Sequence, residues 1–315
     1  MLHDASKKNN LEIINILLPY ETDRNYLPAF QKCKLEKIII PSYVTAIIDY
    51  SFQSCIKLTE IIIPSSVTKI DSHAFRRCTS LKHITIPSSV HCIGDSAFEH
   101  CSSLEEITIP SSVDTIRSTF CDCTSLKKVT FLSNLIKIYF DTFRDCHSLS
   151  EIQIPSSVNH LGEYSFFKCF SLTEIIISSS IDTIYDYTFY KCSSLKKVVF
   201  PQTLRLIGKR AFFGCSSLKE IHFHSSDCII HKEAFCDCPS ISAIVLYSFK
   251  PSFLLHMSHF IPPSKLLFIK FPNANIKKTL KYKLMHLGNK TLMIILFFLL
   301  LIIIYLLFLK WKRAN

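Results

Sequence analysis

CTSLKHITIPSSVHCIGDSAFEHC, residues 78–101, opens and closes on cysteine and holds Cys92, His83 and His100 between. Cysteine and histidine this close together are the ingredients of a zinc site. They are equally what one period of a repeat shows when its ends carry the same residue. The rest of the chain decides between these readings, because a repeat recurs and a metal site does not.

Aligned on its cysteines, the chain repeats. Cys33, Cys55, Cys78, Cys101, Cys123, Cys146, Cys169, Cys192, Cys215 and Cys238 follow one another at 22 or 23 residues. Three residues before them stand Phe30, Phe52, Phe75, Phe98, Phe120, Phe143, Phe166, Phe189, Phe212 and Phe235. Three residues after nine of them come Leu58, Leu81, Leu104, Leu126, Leu149, Leu172, Leu195, Leu218 and Ile241, while the first unit places Leu35 one residue early. Paired β-branched or aromatic positions follow, such as Ile61 with Ile63 or Val198 with Phe200, and then often a proline, as at Pro64, Pro87 and Pro110. The unit is L-x-x-I-x-I-P-x-x-V-x-x-I-x-x-x-A-F-x-x-C-x-x, written about ten times between residues 28 and 250.

The unit has a direct physical reading. I-x-I is a period-2 strand with both branched side chains on one face. Proline lacks a ladder donor and ends it, and P-S-S-V is a turn. V-x-x-I and A-F-x-x-C keep a spacing of three, which suits tight turns or short 3₁₀ segments. One unit cannot bury its apolar side alone, but stacked units bury it against each other. The expected fold is therefore an α/β-type solenoid, a right-handed stack of coils with one parallel β-sheet face. Its interior carries ladders of Leu, Ile/Val, Phe and Cys, and its length is roughly 45–50 Å at the spacing of paired strands.

With this pattern written out, IPSSVTKIDSHAFRRCTSLKHITIPSSV (residues 63–90) resembles the BspA-like class of leucine-rich repeats. The resemblance spans about residues 28–250. It implies a leucine-rich repeat stack, a surface- or adhesion-type binding role, and no catalytic residues. Some proteins of this class also end in a membrane span. Local departures are Leu132, Ser178 and His224 in place of proline, and Asp227 where Val or Leu is usual.

The ladder supplies the bland reading of the opening stretch: Cys78 and Cys101 are one position, one turn apart. Free cysteine behaves as a small apolar residue and is often buried. Cys92, Cys121, Cys228 and Cys236 lie off the ladder, and His83 is expected to point outward from its strand. No metal and no cofactor are expected. One-per-coil cysteines fit reduced packing better than disulfides, although stacked cysteines at about 5 Å are within bridging reach. Serines are plentiful because the turn is P-S-S, histidines scatter over non-equivalent positions, and no Ser-His-Asp arrangement is assignable. The structural ladder is thus Phe52, Cys55, Phe75, Cys78, Phe98, Cys101, Phe120, Cys123, Phe143, Cys146, Phe166, Cys169, Phe189, Cys192, Phe212, Cys215, Phe235 and Cys238.

The candidate binding face is the outside of the sheet. Residues flanking the first Ile of I-x-I point outward: Lys37, Glu60, His83, Thr85, Glu106, Thr108, Lys128, Thr130, Glu151, Gln153, Glu174, Lys197, Glu220 and His222. Ordinary cross-strand pairing of Lys with Glu explains part of this column. A surface for a protein or a host or matrix macromolecule is the functional reading, since solenoids present extended faces.

The net charge of +11 does not indicate nucleic acid. Residues 250–315 hold 11 of the 36 Lys and Arg and none of the 25 Asp and Glu, so the repeats are neutral. A neutral body offers no broad basic face for phosphates. Only 5 glycines are present, too few for Gly-rich phosphate loops to be expected. TLMIILFFLLLIIIYLLFL, residues 291–309, carries no charge and as a helix reaches about 28 Å, close to the hydrocarbon thickness of a bilayer. The expected organisation is a helical N-terminal cap resembling half an ankyrin repeat (1–27), the repeats (28–250), and a closing strand with a basic linker (251–288). A transmembrane helix (289–310) and a basic tail (311–315) complete it. No secretory leader is apparent in the first 20 residues, where Asp4, Glu12 and Asn15 interrupt any apolar run. Flanking lysines on both sides of the span leave two topologies, cell-surface display or a cytosol-facing tail-anchored scaffold.

Overall fold

A computed structural model describes residues 30–132, 135–247 and the strand at 269–270. The expected N-terminal cap, most of the closing segment and the 289–310 span lie outside the described residues. Among the described residues, no helix is long and apolar enough to cross a membrane.

The chain winds as a parallel-strand solenoid of about nine turns. Its front column holds the strands Lys37–Ile39, Glu60–Ile62, Glu106–Ile109, Lys128–Phe131, Glu151–Ile152, Glu174–Ile176, Lys197–Phe200, Glu220–Phe223, Ala243–Leu246 and Ile269–Lys270. The I-x-I stretches alternate as the sequence predicts, with Ile107, Val129, Ile175 and Val198 buried and their flanking positions outward, while in the last unit Val245 is buried as well. Register is strict: Ile38 faces Ile61, Glu174 faces Lys197, and Lys197 faces Glu220. A one-residue slip would send every Ile to solvent, which is why register holds without long strands.

Two features go beyond the expected single sheet. The V-x-x-I stretch forms a second column of two-residue parallel strands, from Ala46–Ile47 to Ile229–Ile230. Its inward residues, such as Ile70 and Ile138, are fully buried. No α-helix forms among the described residues, although A-F-x-x-C has helical spacing. The residue before every ladder cysteine takes a left-handed backbone, as at Arg77 (φ 61), Asp145 (φ 55) and Lys191 (φ 56). That turns its N–H away from its own coil and onto the next: Arg77 N donates to Glu99 O at 2.8 Å, and Lys191 N to Phe213 O at 2.7 Å. A right-handed helix cannot propagate through such a residue.

The interior is the predicted ladder. Ten phenylalanine rings form one continuous stack, with neighbouring centroids 5.1–5.7 Å apart. The cysteines do more than fill space. Each thiol from Cys55 to Cys238 donates to the carbonyl of the ladder phenylalanine one coil back, as Cys146 Sγ to Phe120 O at 3.1 Å and Cys169 Sγ to Phe143 O at 3.2 Å. That carbonyl also accepts the N–H of its own coil's cysteine, at 3.1 Å for Cys123 N to Phe120 O. The second serine of P-S-S-V likewise reaches back a coil: Ser89 Oγ donates to Val67 O at 2.6 Å and Ser157 Oγ to Leu135 O at 2.6 Å. Coils are therefore joined by side chains as well as by strands.

Candidate functional site

The opening constellation does not converge. Cys78 and Cys101 are fully buried in the ladder, and His83 is exposed on the front face. Among the described residues, no three His, Cys, Asp or Glu side chains gather closely enough to hold a metal ion. Burial pushes the thiols of Cys78, Cys101, Cys123, Cys146, Cys169 and Cys215 well above their ordinary 9.0. Such thiols are poor nucleophiles and poor metal ligands, since both roles need the thiolate. Off the ladder, Cys228 is pushed up to about 12, again by burial.

The outward column is where the sequence places it. Lys37, Glu60, His83, Thr85, Glu106, Thr108, Lys128, Glu151, Gln153 and Glu174 are exposed, and Thr130, Lys197, Glu220 and His222 are half-buried. His83 and Thr85 lie outside regular strands yet keep the alternation. At the N-terminal end the column pairs internally, with Lys37 Nζ 2.9 Å from Glu60 Oε2. At the other end Glu220 Oε2 meets His222 Nε2 at 3.2 Å. Between them, Glu106, Lys128, Glu151, Glu174 and Lys197 form no ion pair within 4 Å with another described residue.

Around the middle of this column a groove of about 830 Å³ opens. Lys128, Thr130, Glu151, Gln153 and Glu174 line it, together with Phe131, Ile152, Ile154 and Ile176. Alternation in the sequence singles out these five polar residues but neither the groove itself nor Ser150 and Thr173, which also line it. It forms where Glu151–Ile152 and Glu174–Ile176, on successive coils, belong to separate sheets. Phe131 and Ile154 there are only partly buried, whereas equivalent Ile109, Ile177 and Phe200 are buried. Ile176 is 64% exposed. Two sequence signals mark the place: Leu132 where proline is usual, and two successive glutamates in a column that otherwise alternates.

The opposite surface carries aromatic residues, but they pack on one another. Phe167, Tyr190 and Phe213 stack at 4.8 and 5.2 Å, and Tyr164 stacks on Tyr187 at 4.9 Å. Arg144 and Lys168 lie over Phe167, and Lys191 over Tyr190. Ring faces already covered in this way offer no platform to a ligand.

A coiled parallel sheet with a side-chain-bonded interior and a charged, open front face defines a leucine-rich repeat protein. A profile of the BspA type leucine rich repeat region matches residues 25–119 and 117–242, and the chain belongs to that family. Members are typically non-enzymatic binding scaffolds. No curated protein matches the chain in sequence. Among solved structures it is similar to a leucine rich cell surface protein of Faecalibacterium prausnitzii, at 23% identity and TM-score 0.46 over 78% of this chain and 81% of that one. It is also similar to a leucine-rich repeat protein of Bacteroides ovatus, at 26% identity and TM-score 0.40 over 78% and 86%. The pneumococcal vaccine antigen PcpA is 19% identical, with TM-score 0.49 over 78% and 68%.

Proposed function

We propose that this chain is a non-enzymatic, membrane-anchored binding protein that presents the front of its solenoid to a macromolecular partner. The observation that carries this reading is the charge column from Glu106 to Lys197, whose members are aligned by register yet unpaired. A column serving only the fold would close its pairs, because opposite charges on adjacent strands attract. The apolar segment 291–309 supplies the anchor, and cell-surface display is the arrangement that family resemblance suggests.

A second topology, a cytosol-facing tail-anchored scaffold, is favoured by one observation. All 14 cysteines are free, and Cys92, Cys121 and Cys236 are only partly buried. Free, accessible thiols persist more readily in a reducing compartment.

Site-specific photo-cross-linking tests the binding face. A photoreactive residue at Thr108, on the front, is expected to yield adducts in the membrane of intact cells. The same residue at Arg144, on the back, is expected to yield none, and adducts from Arg144 alone would sink the reading. Protease added outside intact cells separates the topologies: cleavage of the repeats means surface display, and protection means the scaffold.

A further inference from the structure

We infer that the mid-face groove receives an extended peptide segment that places a lysine or arginine between Glu151 and Glu174. The inference rests on the front-face reading and names the chemistry of the partner. Down the front column from Lys37 to Glu220, the charged neighbours that the register pairs are opposite in sign. Lys37 faces Glu60; Glu106 faces Lys128, which faces Glu151; Glu174 faces Lys197, which faces Glu220. His83 falls between Glu60 and Glu106. Only from Glu151 to Glu174 does one carboxylate succeed another. Like charges on neighbouring strands repel, and at this step the strands do not pair, as is also true on either side of residues 83–86, which lie outside regular strands.

The opening is bounded. Just before it, Thr173 N donates to Ser150 O at 3.2 Å, and just after it, Ser178 Oγ donates to Ser156 O at 2.9 Å. Between these two clamps the strands are not joined in one sheet, and the inward residues Phe131 and Ile154 are partly accessible with Ile176 beside them. The groove therefore offers two unpaired carboxylates, an apolar floor, and the hydrogen-bonding side chains of Thr130 and Gln153. An extended chain carries residues i and i+2 on one face, so a segment whose groove-facing side holds a lysine or arginine and, two residues on, an apolar residue meets the carboxylates and the apolar floor together. Its cation also restores the missing alternation. The size fits a short segment, being within the range of small-ligand and peptide pockets.

The test uses the full-length chain in detergent micelles and a fluorescein-labelled peptide in which lysine and valine alternate along one face, with serine at every intervening position. Counterparts carry glutamate for lysine or serine for valine. Saturable binding of the valine–lysine peptide alone is expected. Glu151→Gln and Glu174→Gln are each expected to weaken it by roughly 1.5- to 5-fold, the range of single exposed ion pairs. Gln153→Arg, which supplies a fixed cation in the groove, is expected to compete more strongly, and Glu163→Gln, exposed but outside the front column, to leave binding unchanged. A readout that a structural role would not produce is the melting temperature. Glu174→Gln removes repulsion, so its thermal midpoint is expected to stay level or rise while binding falls. Equal binding by wild type and both Glu→Gln variants, or equal binding of the glutamate peptide, overturns the proposal. If the peptide fails to bind while cross-linking from Thr108 persists, the groove assignment fails and the front-face reading stands. If Thr108 also yields no adduct, both fail.

Discussion

The ladder cysteine is a hydrogen-bond donor as much as an apolar filler, and this separates it from alanine. Cys146 is fully buried, and its thiol donates to Phe120 O at 3.1 Å. Cys146→Ala removes the donor and leaves a small void, so a loss of about 1–3 kcal/mol is expected in chemical denaturation. Cys146→Ser keeps a donor and is expected to lose less; a larger loss for serine than for alanine would refute the role given to the bond. The same burial dictates a pH response. The buried thiols have folded-state pKa values above the ordinary 9.0. Below 9.0 the thiol is protonated whether the chain is folded or not, so the stability linked to it is fully present. Above 9.0 the unfolded chain releases protons that the folded chain retains, and stability falls by about 1.4 kcal/mol per pH unit for each such thiol. Several thiols titrating together predict a steep drop in the denaturation midpoint between about pH 9 and pH 10, made shallower by each Cys→Ala change.

At the level of the element, the A-F-x-x-C stretch is the tight turn that its spacing of three suits. Its period of three is compatible with a helix, and the i to i+3 bond from Cys78 N to Phe75 O at 3.1 Å is present. The left-handed residue before the cysteine then breaks off the helix and directs its N–H to the next coil. Of these residues only Gly214 (φ 72) is glycine; most are Lys, Arg, Asp or His. Non-glycine residues pay roughly 1–2 kcal/mol in this conformation, against which glycine costs 0.5–1 kcal/mol in chain entropy. Exposed Arg77 (φ 61) is the place to test this. Arg77→Gly is expected to raise stability by about 0.5 kcal/mol, read as a higher denaturant midpoint. A clear loss would show that the arginine side chain matters more than its backbone.

For the whole molecule, stability is a sum over neighbouring coils. Phe143 touches Phe120 at 5.7 Å and Phe166 at 5.3 Å, so it joins the two halves of the stack. Phe143→Ala is expected to lose about 3–5 kcal/mol. Because the lesion sits mid-stack, it is also expected to divide one cooperative thermal transition into two, resolved by calorimetry. The same change at Phe235, near the end of the described stack, is expected to lower the midpoint without dividing the transition.

What was legible in the amino-acid order is whatever recurs. Phe, Cys, Leu and Ile/Val occupy the same place in every unit, so their burial, the outward column from Lys37 to His222, and the strand register all follow from period and alternation. Membership of the repeat family was legible for the same reason. What needed the third dimension is whatever joins one coil to the next. The thiol-to-carbonyl bonds, the reach of Ser89 to Val67, the second strand column and the left-handed turns depend on the distance between residues more than 20 positions apart, which no single unit encodes. The groove belongs here too. Glu151 and Glu174 stand in plain sight in the sequence, but only stacking makes them neighbours, and only then does the repulsion between them coincide with the opening of the sheet.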